Sequence, residues 1–333
     1  MNILLIKSFF AILISFLITF YLIPVLLTLA HRIKFLDIPD GTIKQQSAPV
    51  PYCGGVAVYV GFLFSLALVL PFQNALISFL IGITLLLFIG LMDDFFVLQP
   101  YQKFFGQIMS ALCFLKAGFY LKEHFFSSGE LVSIVLSLFW ILTVINAFNL
   151  VDVMDGLTAV ISLVASCGFI AIALTVNNGG LVLLFCALIG SLVAFLLFNR
   201  PPAQMYLGDA GSLFLGGFFA AAPFLFPWGM FTPYGFLTPV ILLVIPLLEV
   251  ATLILIRWYK KIPFYRGSPD HFSHYLLRNR WSKQGILGYV ALLGSIGVLV
   301  SYEFFVGNLS LLQIIQVGAV FLIFWYLILF WKD

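Results

Sequence analysis

Charge is the scarcest thing in this sequence. Only 9% of its 333 residues are Asp, Glu, Lys or Arg, while 63% are hydrophobic and the mean hydropathy is +1.15. One packed interior cannot hide so much apolar surface from water, so a soluble globular domain is excluded and a bilayer is required. Cysteine is also sparse. Cys53, Cys113, Cys167 and Cys186 sit in apolar surroundings without CxxC or other metal spacing, and they read as small buried hydrophobes. Outside one loop no basic tract carries interleaved aromatics, and a net charge of +3 is too small to imply a nucleic-acid partner. Internal repeats, low-complexity tracts and long linkers are absent too. Residues 1–333 therefore read as a single membrane-embedded domain.

Apolar runs are what the chain has in abundance. A helix needs ~20 mostly apolar residues to cross ~30 Å of hydrocarbon. A window of that length finds about eleven candidates, centred near Leu17, Phe62, Leu85, Leu112, Phe139, Phe169, Leu188, Phe219, Leu247, Ser295 and Leu322. The first run, from Ile3 to about Ala30, is too long for a signal-peptide core and has no small-residue cleavage site, so it counts as a retained span. The connectors alternate in charge. HRIKFLDIPDGTIKQQ carries Arg32, Lys34 and Lys44, and RWYKKIPFYRGSPDHFSHYLLRNRWSKQG carries seven Lys or Arg residues. The connectors around Phe72, Asn178, Met230 and Glu303 are poor in both, and the one between Lys116 and Glu130 is mixed. By the positive-inside rule the expected fold is all-α and polytopic, with the N-terminus outside and the C-terminus cytoplasmic.

The chain has just 13 Asp and Glu residues, and their placement is uneven. Asp37, Asp40, Asp93, Asp94, Asp152, Asp155, Asp209 and Asp270 all fall in connectors assigned to the cytoplasmic side. Interfacial solvation or helix capping explains any one of them. It does not readily explain Asp93-Asp94, Asp152, Asp155 and Asp209 together, with Asn146 and Asn149 beside them and almost no local Lys or Arg. Such carboxylates repel one another at the membrane edge unless a cation binds. Oxygen donors without Cys or His favour a hard ion such as Mg²⁺, which bridges one or two carboxylates to substrate phosphates. Gly208-Asp209-Ala210-Gly211-Ser212 reads as a tight turn into a helix where backbone N–H groups can approach a phosphate, and Gly156 and Gly54-Gly55 open other helices at the same face. In the basic loop, Arg257, Lys260, Lys261, Arg278, Arg280 and Lys283 read chiefly as lipid-headgroup and topology determinants. His271 and His274, clustered beside Pro269-Asp270, stand apart from that reading.

Four segments carry a family resemblance across nearly the whole chain: PVPYCGGVAVYVGF, GLMDDFFVLQPYQKFFGQ, NAFNLVDVMDGL with MYLGDAGSLFLG, and SPDHFSHYLLRNRWS. In that order they resemble the polyprenyl-phosphate N-acetylhexosamine-1-phosphate transferases (glycosyltransferase 4 type). That superfamily includes the phospho-MurNAc-pentapeptide translocase and the GlcNAc-1-phosphate transferases that start envelope glycans. NAFNLVD and the His-Phe-Ser-His spacing are similar to the GlcNAc branch, and the three adjacent histidines of the translocases are absent. Three positions depart from the pattern: Val97 replaces a usual acid, Val153 a usual Gly, and the Gln45-Gln46 region a usual His.

The resemblance implies transfer of HexNAc-1-phosphate, most simply GlcNAc-1-phosphate, from a UDP-sugar to undecaprenyl phosphate with release of UMP. It implies Mg²⁺ dependence, with Mn²⁺ as a substitute, an active site at the cytoplasmic face of the inner (plasma) membrane, contact with membrane lipids, and room for a homodimer. Asp209 and Asn149 are then expected to hold the metal. Asp93 would act as base or phosphate-positioning residue with Asp94 beside it, and Lys103 would return to the phosphates. Asp152 and Asp155 would face the uridine, with Asn146, Gly156, Ser212 and Lys44 lining the substrate site. His271 and His274, with Arg266, would hold the diphosphate. An aspartyl-phosphate route through Asp93 or Asp152 stays open. The other readings are the translocase branch and an ion-coupled transporter or flippase, which would want its ionisable residues near mid-membrane in repeated halves.

Overall fold

A computed structural model describes residues 2–38, 48–71, 74–121, 129–263 and 269–330. The described residues are mainly helical. Helices α1 (Asn2–Ile33), α2 (Gly54–Val69), α3 (Asn74–Phe96), α4 (Pro100–Lys116), α5 (Glu130–Val151), α6 (Leu157–Thr175), α7 (Gly179–Asn199) and α8 (Gly208–Ala221) are followed by a short α9 (Thr238–Leu242). Then come α10 (Val244–Tyr259), α11 (Phe272–Arg278), α12 (Lys283–Phe305) and α13 (Leu311–Phe330). A two-residue antiparallel pair, β1 (Leu36–Asp37) with β2 (Val50–Pro51), is the one departure from an all-α fold among the described residues. Each expected span centre falls inside one of these helices.

Among the described residues seven helices are long and apolar enough to cross a membrane, or eight if α9 and α10, which meet at a 73° bend, form one broken span. This makes the protein a multi-pass membrane protein. It does not reach eleven spans on length and composition: α2 and the apolar part of α13 are short, and α4 carries polar residues along one face.

Helix α8 is the hub. From Gly208 to Ala221 it is buried but for Asp209, and it packs on α3, α5 and α2. Glycines permit that closeness, as expected where backbones must approach within a membrane. A Cβ at Gly90 of α3 would lie 2.2 Å from the Asp209 carbonyl oxygen, and one at Gly216 would lie 2.7 Å from the Ile145 Cα. A layer of stacked phenylalanines, including Phe148 on Phe219 and Phe169 on Phe185 (centroids 4.9 Å apart in each pair), fills the space around it. Elsewhere α1 packs on α7 and α2, where Gly190 meets Ser15 and Gly61 meets Thr19. Cys53 and Cys186 are buried as expected, and Cys113 is half-buried, but Cys167 faces outward from the bundle, a surface that a bilayer can cover as well as a core can.

Candidate active site

The last turn of α3 and the first turn of α8 meet at one end of the bundle. Asp94 accepts hydrogen bonds from the Asp209 N–H (2.8 Å) and the Ala210 N–H (3.0 Å), so it caps α8 through both carboxylate oxygens. Gly208 enters that turn at φ +74°, a conformation natural to glycine. The expectation that these N–H groups would face a phosphate is therefore corrected, because Asp94 already occupies them. The other glycine turns are likewise engaged: Gly54 and Gly55 donate to the Tyr206 and Leu207 carbonyls, and Gly156 donates to Asn199 Oδ1 (2.8 Å).

Asp93 lies beside Asp94 but points elsewhere. Its Oδ1 accepts the Leu98 N–H (2.7 Å), fastening a tight turn in which Val97 takes φ +52°. A β-branched residue there is strained, typically by about 1–3 kcal/mol. The turn folds α4 back so that Lys103 Nζ lies 2.8 Å from Asp93 and 3.0 Å from Asp209. Lys103 also donates to Asn149 Oδ1 (3.2 Å), while Asn149 donates to Asp209 and to Ser212 Oγ (2.9 Å). Asp93, Lys103, Asn149, Asp209 and Ser212 are thus one contiguous network drawn from four helices. The acids that looked unpaired along the chain have their cation, supplied from a different segment.

The polar face of α4 continues away from Lys103. Gln107 forms a reciprocal amide pair with Asn146 (2.8 and 3.3 Å), and Ser110 donates to the Gly82 carbonyl (2.8 Å). Asn146 therefore braces α4 against α5 one turn from Asn149. Gln107 is a residue that reading the sequence missed. Its position four residues after Lys103, on the same helix face, is the signal that could have found it.

The loop between α5 and α6 adjoins this network. Asp152 accepts from Thr158 Oγ1 (2.9 Å). Burial pushes its carboxyl up to about 7; Thr158 opposes that shift, Asp209 adds to it and Lys103 opposes it. Asp155 is bound instead by Lys283 of α12 (2.8 Å), and Gly156 caps the start of α6. Tyr52, which hydrogen-bonds Asp37, and Tyr206 flank this side with centroids 6.1 Å apart.

Across the loop stand the two histidines, with ring centroids 5.6 Å apart. His271 Nδ1 is 2.8 Å from Glu249 of α10, and Asp270 is held by Lys260 (2.6 Å). His274 is kept below the ordinary histidine value by burial, then by His271 and Arg278, against backbone interactions at Pro269 and Val153. Its approach to Val153 joins the basic loop to the Asp152 loop. Lys44 and Arg266 lie outside the described residues.

For a metal, the donor chemistry is apt: Asp209, Asp93 and Asn149 offer only hard oxygens. Among the described residues no three His, Cys, Asp or Glu side chains gather into a cage.

The protein is a multi-pass helical membrane protein with a Lys–Asp–Asn network at one end of its bundle. Comparison with known proteins makes that specific. The sequence profile of Glycosyl transferase family 4 matches residues 76–226, the stretch that holds Asp93, Asp94, Lys103, Asn149, Asp152 and Asp209. A Bacillus subtilis protein named "Probable undecaprenyl-phosphate N-acetylglucosaminyl 1-phosphate transferase" is 28% identical over 80% of this chain and 76% of its own length. The Phospho-N-acetylmuramoyl-pentapeptide-transferase of Listeria innocua is 29% identical over 90% of this chain and 98% of its own, and that of Bacillus mycoides is 30% identical over 64% and 73%. The chain belongs to Glycosyl transferase family 4.

Proposed function

We propose that this protein transfers a HexNAc-1-phosphate, GlcNAc-1-phosphate in the reading preferred here, from a UDP-sugar to undecaprenyl phosphate, releasing UMP. The observation that carries the reading is Lys103, held between Asp93, Asp209 and Asn149 within the family-matched segment. An oxygen of the lipid phosphate attacks the β-phosphorus of the donor. A new P–O–P bond forms as the bond from that phosphorus to the oxygen retained by UMP breaks. Negative charge accumulates on the phosphoryl oxygens, and positioned cations lower the barrier by neutralising it. Lys103 is placed to do so, and Asp93 and Asn149 fix its ammonium group. Asp94 acts one step removed, by holding the α8 turn that presents Asp209. Asp209 and Asn149 would hold Mg²⁺, which would supply further charge neutralisation at the diphosphate.

The chain is further proposed to cross the bilayer eleven times as one domain in the inner (plasma) membrane, with the N-terminus outside and the acidic end facing the cytoplasm. The open face of α3 lined by Ile77, Leu80, Ile81, Leu85 and Phe88 is proposed as a contact for the prenyl chain. Asp93 and Asp209 stand at helix ends rather than at mid-span, which speaks against an ion-coupled carrier. The test is UMP release by purified protein from undecaprenyl phosphate and a panel of UDP-sugars. Release with UDP-GlcNAc, lost in EDTA and restored by Mg²⁺ or Mn²⁺, is the expected result. Turnover that survives thorough chelation would remove the metal from the account.

A further inference from the structure

We infer that Glu249 is the positioning residue for His271, fixing the proton on Nδ1 and aiming Nε2 at the donor diphosphate. This rests on the transferase reading above. Glu249 is the lone acid in the apolar run VIPLLEVATLILI, and it is fully buried in α10. A carboxylate taken so far from water costs several kcal/mol unless it is paired and hydrogen-bonded. Both its oxygens are spoken for: Oε1 meets His271 Nδ1 at 2.8 Å and Oε2 accepts the Phe272 N–H at 3.4 Å. The other charges nearby are buried Arg257, which interacts with Glu249 and Asp270, and Lys260, which pairs with Asp270.

A carboxylate at Nδ1 can only accept. With Glu249 as the carboxylate, the imidazole donates at Nδ1, which leaves the ring lone pair on Nε2. Among the described residues Nε2 has no protein partner, and the ring sits beside His274, which reaches the Asp152 loop. A mere cap for α11 would be served by a neutral Ser or Asn without burying a charge. The carboxylate–imidazole couple is instead the arrangement that keeps a working histidine in one tautomer and orientation.

Two measurements test this. In the first, kcat and KM for the UDP-sugar are compared in wild type, Glu249→Gln, His271→Asn and the double variant. Glu249→Gln should lower kcat/KM by about ten- to a hundredfold. The double variant should be no worse than His271→Asn alone, since coupled groups do not add. Losses that multiply, or an unaffected Glu249→Gln, would overturn the inference. In the second, ¹⁵N-histidine NMR of the wild type at pH 8, with His271 assigned by its loss in His271→Asn, should show one Nδ1–H species. An Nε2–H tautomer would refute it even if Glu249→Gln failed to fold. Because the spectrum needs no turnover, a wild type inactive on every donor but carrying the Nδ1–H tautomer would sink the transferase reading and leave Glu249 in place.

Discussion

The two ends of the helical bundle use their polar residues in opposite ways. At the far end, Glu130 meets Tyr120 ten residues away, and Glu303 meets Asn308 five residues away, both on the exposed surface. At the site end, Lys103 reaches Asn149 across 46 residues, Asp94 reaches Asp209 across 115 and Asp155 reaches Lys283 across 128. Exposed local pairs are worth roughly 1 kcal/mol or less, so the far end gains little from them. Half-buried charges gathered from distant segments must instead be compensated in full, or the bundle is weakened. The proposed chemistry is assigned to that end and not to the other.

Substitutions can break that comparison. The largest effect is expected at the network itself: Asp209→Asn or Asp93→Asn should each reduce turnover by about a hundredfold or more. Both variants should still insert and give a monodisperse peak in detergent. Near-normal turnover in Asp209→Asn would remove it from the centre of the site. Next comes a change that touches no charge. Gly90→Ala places a methyl against the Asp209 backbone and should pry α3 from α8, lowering turnover about tenfold or more. Gly318→Ala, where a Cβ meets nothing, is the matched control and should be silent.

A subtler effect concerns pH. Asp152 is buried enough that its carboxyl sits near 7, so it is mainly neutral below that pH and mainly charged above it. If the carboxylate form serves the reaction, turnover rises through about pH 7, and Asp152→Asn lacks that limb. An identical limb in the variant would assign the ionisation to another group. The smallest effect belongs to the far end: Glu303→Gln removes an exposed pair and should leave turnover within about twofold of wild type.

Much of the fold was legible because a bilayer imposes a simple length rule, and every expected span centre lies in a helix. The rule says nothing of how short or polar helices pack. Helix α2, only 16 residues long, is largely buried against its neighbours, and α4 carries Lys103, Gln107 and Ser110 on a face that α3 and α5 cover. At the site, acids beside small residues were readable as a group, but their division of labour was not. Asp93 and Asp94 are adjacent in sequence and do different work, one holding Lys103 and the other capping α8. Gly90 meets Asp209, and Asp94, four residues on, shares that face of α3. Glu249 escaped notice because a single acid in an apolar run carries no local pattern; its partner lies 22 residues on, beyond the end of α10.

The most direct test is mass spectrometry of the lipid product after purified protein is given undecaprenyl phosphate, Mg²⁺, UDP-GlcNAc and UDP-MurNAc-pentapeptide together. The account predicts undecaprenyl-pyrophosphoryl-GlcNAc as the main product, absent with Asp209→Asn. A lipid-linked muramyl-pentapeptide would move the protein to the other branch of its family. No lipid-linked sugar with active, correctly inserted protein would contradict the transferase account itself.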